Sequence, residues 1–176
     1  MNATLTPVGS MAAGPDWFAI QTRYRYEKKV AEQLGGKGVE VFLPLRRESH
    51  SWSDRRKLVT IPLFPGYAFV RSTASADLRL QVLRTAGFMG FVSVRGAATS
   101  VPQKQIEDLR VLLNEEVPFS LYPFVDAGQR VRIRGGCLHG LEGILLTHDK
   151  DKLVISIVSI RRSLAIQLQG YELELV

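Results

Sequence analysis

A run of glycines between residues 128 and 143 constrains this chain more than any other feature. The basic, alternating segment Arg130–Arg134 leads into the run, and the apolar stretch Ile144–Leu146 follows it. Glycine adopts positive φ angles and lets another backbone approach closely, so the pattern predicts a tight turn between two short strands. No helical periodicity follows Asp126, and the chain from there predicts a small closed all-β barrel of five strands over 130–134, 143–147, 153–160, 163–169 and 171–176.

The preceding residues mix both kinds of secondary structure. Alternating or β-branched runs predict strands, and apolar residues at helical spacing predict three amphipathic helices near 25–34, 77–84 and 103–116. This order indicates an α+β domain over 16–117, an antiparallel sheet with its helices packed on one face. Residues 118–125 contain two prolines and predict a linker to the domain 126–176, and residues 1–15 are expected to form a flexible tail.

The composition is that of an ordinary globular protein, with 45% hydrophobic and 23% charged residues among 176. No apolar run approaches the roughly 20 residues that a membrane-spanning helix needs. The single cysteine, Cys137, cannot form an internal disulfide and fits a reducing cytoplasm. The net charge of +6 falls mainly on the residues before 125, which favours a polyanion or an acidic protein surface as a partner of that part.

A second motif, Pro62-Leu-Phe-Pro-Gly-Tyr-Ala-Phe-Val70, places a proline turn before an aromatic strand. Tyr67 and Phe69 lie two residues apart and point to the same face of an extended strand, where Phe64 can join them. Clustered aromatic side chains are typical of a protein interface and equally of a hydrophobic core. The residues alone leave both interpretations open.

Together, the Trp17-Phe18-Ala19-Ile20 opening, the Phe64–Tyr67 turn and the glycines of the last third resemble the NusG-like transcription elongation factors. The resemblance covers nearly the whole chain from Asp16. It implies a NusG N-terminal-type sandwich that rides on RNA polymerase, followed by a small SH3-like KOW barrel. Some specialised members also form a helical hairpin in the second domain, but the β-branched run at 154–160 favours the barrel here.

The resemblance implies which residues contact RNA polymerase. Phe64, Tyr67 and Phe69 would line an apolar depression that grips the clamp helices of the largest subunit. Phe18 and Gln21 on the first strand would border this depression, and Arg79 would reach the opposite jaw of the enzyme. Bridging both jaws would favour a closed clamp and disfavour paused and terminating states.

A basic segment between residues 46 and 57 is a candidate nucleic-acid surface. Lysine and arginine side chains neutralise phosphates, and a tryptophan among them can stack on an unpaired base. The family resemblance places this segment near upstream and non-template DNA, although a solvated hairpin tip has the same composition. The candidate residues are Arg46, Arg47, Trp52, Arg55, Arg56 and Lys57. Arg23, Arg25, Lys28 and Lys29 form a second positive cluster, which Glu27 and Glu32 are placed to neutralise in part.

The barrel turn offers a further partner surface. By resemblance, Leu138, Leu141 and Ile160 would bind a ribosomal protein or the termination factor Rho, and the same leucines could instead cap the barrel core. Leucines stand in this turn where aromatic residues are common in the family, and Cys137 follows Gly136. These departures argue against Rho and favour a specialised paralogue that promotes read-through.

The sequence contains no motif for catalysis or for a cofactor. His50, His139 and His148 lack metal-site spacing with Cys137, and Gly35-Gly36-Lys37-Gly38 is not a phosphate-binding loop. We therefore expect a monomeric, non-enzymatic transcription factor without a cofactor or a membrane contact. The alternative is an RNA- or ribosome-binding module that uses the KOW barrel and the basic segment.

Overall fold

The computed structural model describes residues 16–52, 55–72, 76–146 and 151–176. Residues 1–15, expected to be a tail, lie outside this description. Within it, no helix is both long and apolar enough to cross a bilayer. The first half contains β1 (Asp16–Thr22), α1 (Glu27–Gly36), β2 (Glu40–Phe42), β3 (Leu45–Trp52), β4 (Arg55–Pro62), β5 (Tyr67–Ser72), α2 (Ala76–Leu83), β6 (Phe88–Phe91), β7 (Ser93–Val94), β8 (Ala97–Ala98), β9 (Ser100–Val101) and α3 (Gln103–Asn114).

In the described residues of the second half, the elements are strands and one 3₁₀ turn. These elements are β10 (Phe119–Tyr122), β11 (Gln129–Arg134), β12 (Glu142–Leu145), β13 (Lys152–Ile157), the 3₁₀ turn Val158–Ile160, β14 (Arg162–Gln167) and β15 (Glu172–Leu175). They form a six-stranded antiparallel sheet in the order β10-β14-β13-β12-β11-β15. The α+β domain followed by an all-β KOW-type barrel is therefore confirmed.

The sheet of the first domain has the order β2-β5-β1-β6, with β9 also paired to β1. Side chains alternate across the central strand β1. Trp17 and Ala19 join the apolar residues of α3, whereas Ile20 joins those of α1 and α2. The helices therefore cover both faces of the sheet, and the expectation that they pack on one face is wrong. Apolar residues on adjacent positions of a central strand require a cover on each side.

The basic segment forms a long hairpin separate from the main sheet. Strands β3 and β4 pair along their whole length, from Leu45 opposite Pro62 to Trp52 opposite Arg55. Strand β2 ends at Phe42, and the hairpin begins with β3 at Leu45. Charged and polar residues dominate the sequence of this segment, so periodicity alone gave no strand signal there.

Strand β10 falls inside the segment that the sequence predicted as a linker. Its residues pair with β14, from Phe119 opposite Ile166 to Tyr122 opposite Ser163. Beyond the strand, Val125 donates its N–H to Ser163 Oγ at 3.2 Å, and its carbonyl accepts the hydroxyl of Ser156. Most of the 118–125 segment is thus attached to the barrel, which leaves residues 115–118 between α3 and β10.

Gly143 in β12 lies directly against the neighbouring strand β13. A Cβ atom added there would lie 2.8 Å from Val154 O and 2.7 Å from Leu153 Cγ. The backbone carbonyl belongs to the paired strand β13 and cannot move independently of the ladder. The glycine that the sequence singled out is therefore needed for close backbone packing.

We predict that Gly143→Ala lowers the free energy of unfolding of the barrel by about 1–3 kcal/mol, because the methyl group overpacks β13. Gly135→Ser is the control at a turn glycine whose added Cβ meets nothing within 4 Å, although its φ of 70° carries its own strain. Thermal or urea unfolding would measure both. A Gly143→Ala variant as stable as the wild type would contradict the proposed packing constraint.

Candidate functional site

The aromatic turn is held by a buried carboxylate. Pro65 and Gly66 occupy the turn, Gly66 has a φ of 83°, and the Tyr67 N–H donates to Phe64 O at 3.1 Å. This combination is typical of a type II turn, in which proline presets the first central residue and glycine the second. Glu27 of α1 is only 3% exposed, and its Oε1 accepts the Gly66 N–H at 2.7 Å. A charge-assisted bond therefore fixes the turn to the helix.

The rings implied as polymerase contacts are not equally accessible. Phe64 and Phe69 are 1% and 0% exposed and pack edge to face, with their ring centroids 6.5 Å apart. Tyr67 is half-buried on the same face, and Gln21, its register partner on β1, is exposed. The structure thus brings Phe64, Tyr67, Phe69 and Gln21 together as a buried centre with an accessible border.

Phe18 does not join this group, and Arg79 stays a prediction. Phe18 points to the opposite face of the sheet, where it meets Phe91 edge to face at 6.2 Å between centroids. Arg79 belongs to α2, and its side chain lies outside the described part of the structure. Among the described side chains of this set, Phe64, Tyr67, Phe69 and Gln21 therefore form one surface.

The sequence did not single out α3 as part of this surface. Trp17 donates its Nε1–H to Gln103 Oε1 at 2.8 Å. The Arg110 guanidinium lies 5.2 Å from the Trp17 ring centroid and 5.1 Å from that of Phe42, within cation–π range of both. These contacts between aromatic residues of the sheet and polar residues of one helix face become visible only in the tertiary structure.

The barrel leucines lie in the same apolar cluster as the aromatic residues. Leu138 and Leu141 are 0% and 1% exposed, and Ile160 is also buried. All three belong to one contiguous cluster that includes Phe64, Phe69 and the apolar residues of α3. The 3₁₀ turn that contains Ile160 also contacts β9 of the first domain. In this closed arrangement, the two predicted partner surfaces are buried together.

Lys104 and Asp108 of α3 bind the barrel turn through its backbone. Lys104 Nζ donates to Gly140 O at 2.7 Å and to Asp108 Oδ1. The Glu142 N–H donates to Asp108 Oδ2 over 3.4 Å, a long hydrogen bond. Burial raises the pKa of Asp108 above its ordinary value, while the bonds from Lys104 and the Glu142 amide oppose this increase.

The basic hairpin is partly neutralised where its side chains are described. Arg46 pairs with Glu48 at 2.7 Å, and Arg47 pairs with Glu116 at 3.0 Å. Lys57 is exposed. The side chains of Trp52, Arg55 and Arg56 lie outside the described part, so their arrangement at the hairpin end stays a prediction.

The positive cluster of Arg23, Arg25, Lys28 and Lys29 is less neutralised by Glu27 than the sequence suggested. Glu27, expected to neutralise it, is buried against the aromatic turn instead. Tyr24 is 67% exposed at a turn in which Arg25 has a φ of 66°. The Arg25 guanidinium lies 5.7 Å from the Tyr24 ring centroid, and Arg23 and Lys29 each lie 5.6 Å from that of Tyr26. We call Arg23, Tyr24, Arg25 and Lys29 the tyrosine patch.

The tyrosine patch adjoins the basic hairpin. Lys28, which follows Glu27 on α1, donates its Nζ–H to the carbonyl of Thr60 in β4 at 2.6 Å. Thr60 is the register partner of Arg47. The two positive regions are therefore neighbours on one side of the first domain.

Two of the three arginines of strand β11, Arg132 and Arg134, are paired with glutamates. Arg132 is bound by Glu142 at 2.6 Å and by Glu174 at 3.3 Å, and Arg134 is bound by Glu174 at 2.6 Å. These cross-strand pairs raise the pKa of Arg132 through the hydrogen bonds that it donates to Glu142, and they lower the pKa of Glu174 through the hydrogen bond that it accepts from Arg134. Paired guanidinium groups are poor phosphate ligands, which weakens the case for an RNA surface on the barrel.

Comparisons with known proteins agree with this architecture. Residues 15–110 match the family model described as "NusG: Transcription termination factor nusG". The transcription termination/antitermination protein NusG of Lactococcus lactis is 28% identical, over 90% of this chain and 91% of its own length. The protein of the same description from Borreliella burgdorferi is 22% identical, over 90% and 97%.

A solved structure described as "Domain interaction in Thermotoga maritima NusG" superimposes with a TM-score of 0.51 at 21% identity, over 92% of this chain and 97% of that one. At 21% identity, this similarity shows that the two proteins share a fold. The family model covers more than half of the chain, and the curated relatives extend over nearly all of it. The chain therefore belongs to the NusG family of transcription termination and antitermination factors.

Proposed function

We propose that this protein binds RNA polymerase through the aromatic face of its first domain and thereby reduces pausing and termination. The observation that carries the proposal is the aromatic centre formed by Phe64 and Phe69, with Gln21 and Tyr67 at its accessible border. Aromatic anchors surrounded by less buried residues are the usual form of a protein-binding hot spot. Membership of the NusG family supports polymerase as the partner.

In the closed arrangement, the barrel residues Leu138 and Leu141 occupy the cluster that contains this aromatic centre. Polymerase binding to the full face thus requires the barrel to move away. The released leucines then become available to a second protein, for which a ribosomal protein is our candidate. Rho is the weaker candidate because the turn lacks the aromatic residues common in the family.

We further propose that the tyrosine patch and the adjoining hairpin contact single-stranded nucleic acid at the transcription fork. An exposed tyrosine ring offers a stacking surface for one base, and the flanking cations offer phosphate contacts. Sequence preference cannot follow from charge, because phosphate contacts carry no base information.

The first prediction concerns polymerase binding. We expect Gln21→Ala with Tyr67→Ala to weaken the binding of polymerase core enzyme at least about tenfold, because both residues border the aromatic centre and neither is buried in it. Phe69→Ala is unsuitable, since removing a fully buried ring costs about 3–5 kcal/mol of stability. Pull-down or surface binding with purified polymerase measures the effect, and Tyr24→Ala is the aromatic control. Unchanged binding in the double variant would remove the proposed surface.

The functional consequence can be measured by run-off transcription across a terminator. We expect added wild-type protein to increase the full-length product, and the Gln21→Ala/Tyr67→Ala variant to do so much less. An increase in terminated product with the wild type would contradict read-through while leaving polymerase binding intact.

The second prediction concerns the tyrosine patch. We expect Tyr24→Ala to weaken binding of a short single-stranded oligonucleotide by about tenfold or more, because one stacked base is lost, whereas Tyr24→Phe retains the ring and the affinity. Arg25→Gln should reduce the dependence of affinity on salt, because one phosphate contact is lost. Fluorescence anisotropy at several salt concentrations measures both effects, with Gln21→Ala/Tyr67→Ala as the control. Equal affinity of Tyr24→Ala and the wild type would eliminate the stacking role.

A further inference from the structure

The aromatic turn contains one backbone carbonyl that the described part of the chain leaves unused. The Phe64 carbonyl accepts the Tyr67 N–H at 3.1 Å, and the Gly66 carbonyl accepts the Thr22 N–H at 2.8 Å. Among the described residues, no hydrogen bond reaches the carbonyl of Pro65, which is exposed. Backbone carbonyls need a hydrogen-bond partner whenever water is removed from them. A free carbonyl beside a candidate interface therefore indicates which group a partner has to supply.

The buried carboxylate of Glu27 sets the direction of this carbonyl. Glu27 Oε1 accepts the Gly66 N–H at 2.7 Å. The peptide bond between Pro65 and Gly66 is trans and planar, so its N–H and its carbonyl point in opposite directions. Glu27 belongs to α1, which packs on the face of the sheet opposite to Phe69. The Pro65 carbonyl thus points away from α1, toward the side of the sheet that carries the aromatic rings.

The alternative direction is disfavoured by both residues of this bond. Type I and type II turns differ mainly in the direction of the central peptide group. Reversing that group would aim the Pro65 carbonyl oxygen at the Glu27 carboxylate and leave the Gly66 N–H without its buried acceptor. Gly66, with a φ of 83°, adopts the type II form without strain. Glu27 and Gly66 therefore hold the carbonyl in one direction.

We propose that Glu27 is a positioning residue that holds the Pro65 carbonyl as a fixed acceptor, and that RNA polymerase supplies an N–H donor to it. The identity of the partner rests on the proposed function, whereas the direction of the carbonyl does not. When polymerase covers the neighbouring Tyr67 and Gln21, water leaves the turn. A carbonyl buried without a donor would then lower the affinity about tenfold or more. The polymerase surface must therefore contain a donor at the edge of its apolar contact.

The carboxylate behind the peptide group also affects how the site discriminates between partners. A hydrogen bond from Gly66 to a charged acceptor polarises the peptide group and makes the Pro65 carbonyl a stronger acceptor. An acceptor of the partner placed against this carbonyl is repelled, so the site selects against it. The exposed Gln21 carboxamide both donates and accepts, and it does not discriminate in this way. The selectivity for a donor therefore comes from the turn.

The first test is the stability of two variants of the full chain. An L-alanine at position 66 disfavours a φ of 83° and favours the reversed peptide group, although its Cβ has room, with Thr22 O nearest at 3.8 Å. In Gly66→Ala alone, the reversed carbonyl meets the Glu27 carboxylate. In Glu27→Gln/Gly66→Ala, the carboxamide N–H can donate to it. We expect the double variant to unfold at a higher urea concentration than Gly66→Ala. A double variant no more stable than Gly66→Ala would refute the role of Glu27.

NMR reports the direction of the peptide group itself. A strong nuclear Overhauser effect between the Pro65 Hα and the amide proton of residue 66 is typical of a type II turn and weakens in type I. We expect it to be strong in the wild type and in Glu27→Gln, which keeps an acceptor for the Gly66 N–H, and weak in Glu27→Gln/Gly66→Ala. A strong signal in the double variant would mean that these two residues do not set the direction of the carbonyl.

Polymerase affinity then tests the donor. We expect Glu27→Gln/Gly66→Ala to bind core enzyme at least about tenfold more weakly than Glu27→Gln, because the carbonyl no longer faces the partner. Glu27→Gln/Gly38→Ala is the matched control. Gly38 has a φ of 79° and open space around its added Cβ, so the control carries a similar strain away from the aromatic turn and should bind like Glu27→Gln.

The outcomes separate this contact from the proposed polymerase surface. If the reversed variant binds as well as Glu27→Gln while Gln21→Ala/Tyr67→Ala binds weakly, the carbonyl contact is wrong and the surface stands. If Gln21→Ala/Tyr67→Ala also binds normally, the surface itself fails, and with it the polymerase donor. The stability and NMR measurements decide the positioning role of Glu27 in either case.

Discussion

One contiguous apolar cluster holds this molecule together, and it belongs to both of its domains. Its members come from one face of the first sheet, from α3 and from the barrel, including Leu138 and Leu141. Burial of such side chains stabilises by about 1.5–3 kcal/mol each, and that gain is shared between folding and domain contact. The surfaces that the family resemblance assigns to partners are therefore also the surfaces that close the protein on itself.

This shared use explains why polar groups surround the contact. An interface of leucines and aromatic rings alone would close tightly and without a defined position. Lys104 and Asp108 add bonds to fixed backbone atoms, and Gln103 fixes Trp17 next to them. The polar groups give the contact its geometry and make it sensitive to single substitutions.

The electrostatic design differs between the two domains. In the barrel, Arg132 and Arg134 form ion pairs with glutamates of neighbouring strands, and these pairs link the strands of the sheet. In the first domain, the burial of Glu27 beneath the aromatic turn leaves the tyrosine patch positive. Most of the net positive charge lies in the residues before 125, and one glutamate contributes to both the turn and the patch.

The sequence by itself determined the two domain types, the barrel turn and the aromatic turn, because periodicity and the special φ angles of glycine and proline act locally. Gly66, Gly140 and Gly143 serve in the structure the purposes expected of glycine. Tertiary structure alone decided that helices cover both faces of the sheet and that β10 joins the barrel. It also decided that Phe18 and Phe69 lie on different faces of the sheet. It also decided that Lys104 and Asp108, an ordinary helix pair in the sequence, meet the barrel backbone. Contacts between distant segments depend on how whole surfaces pack, and no local pattern records that.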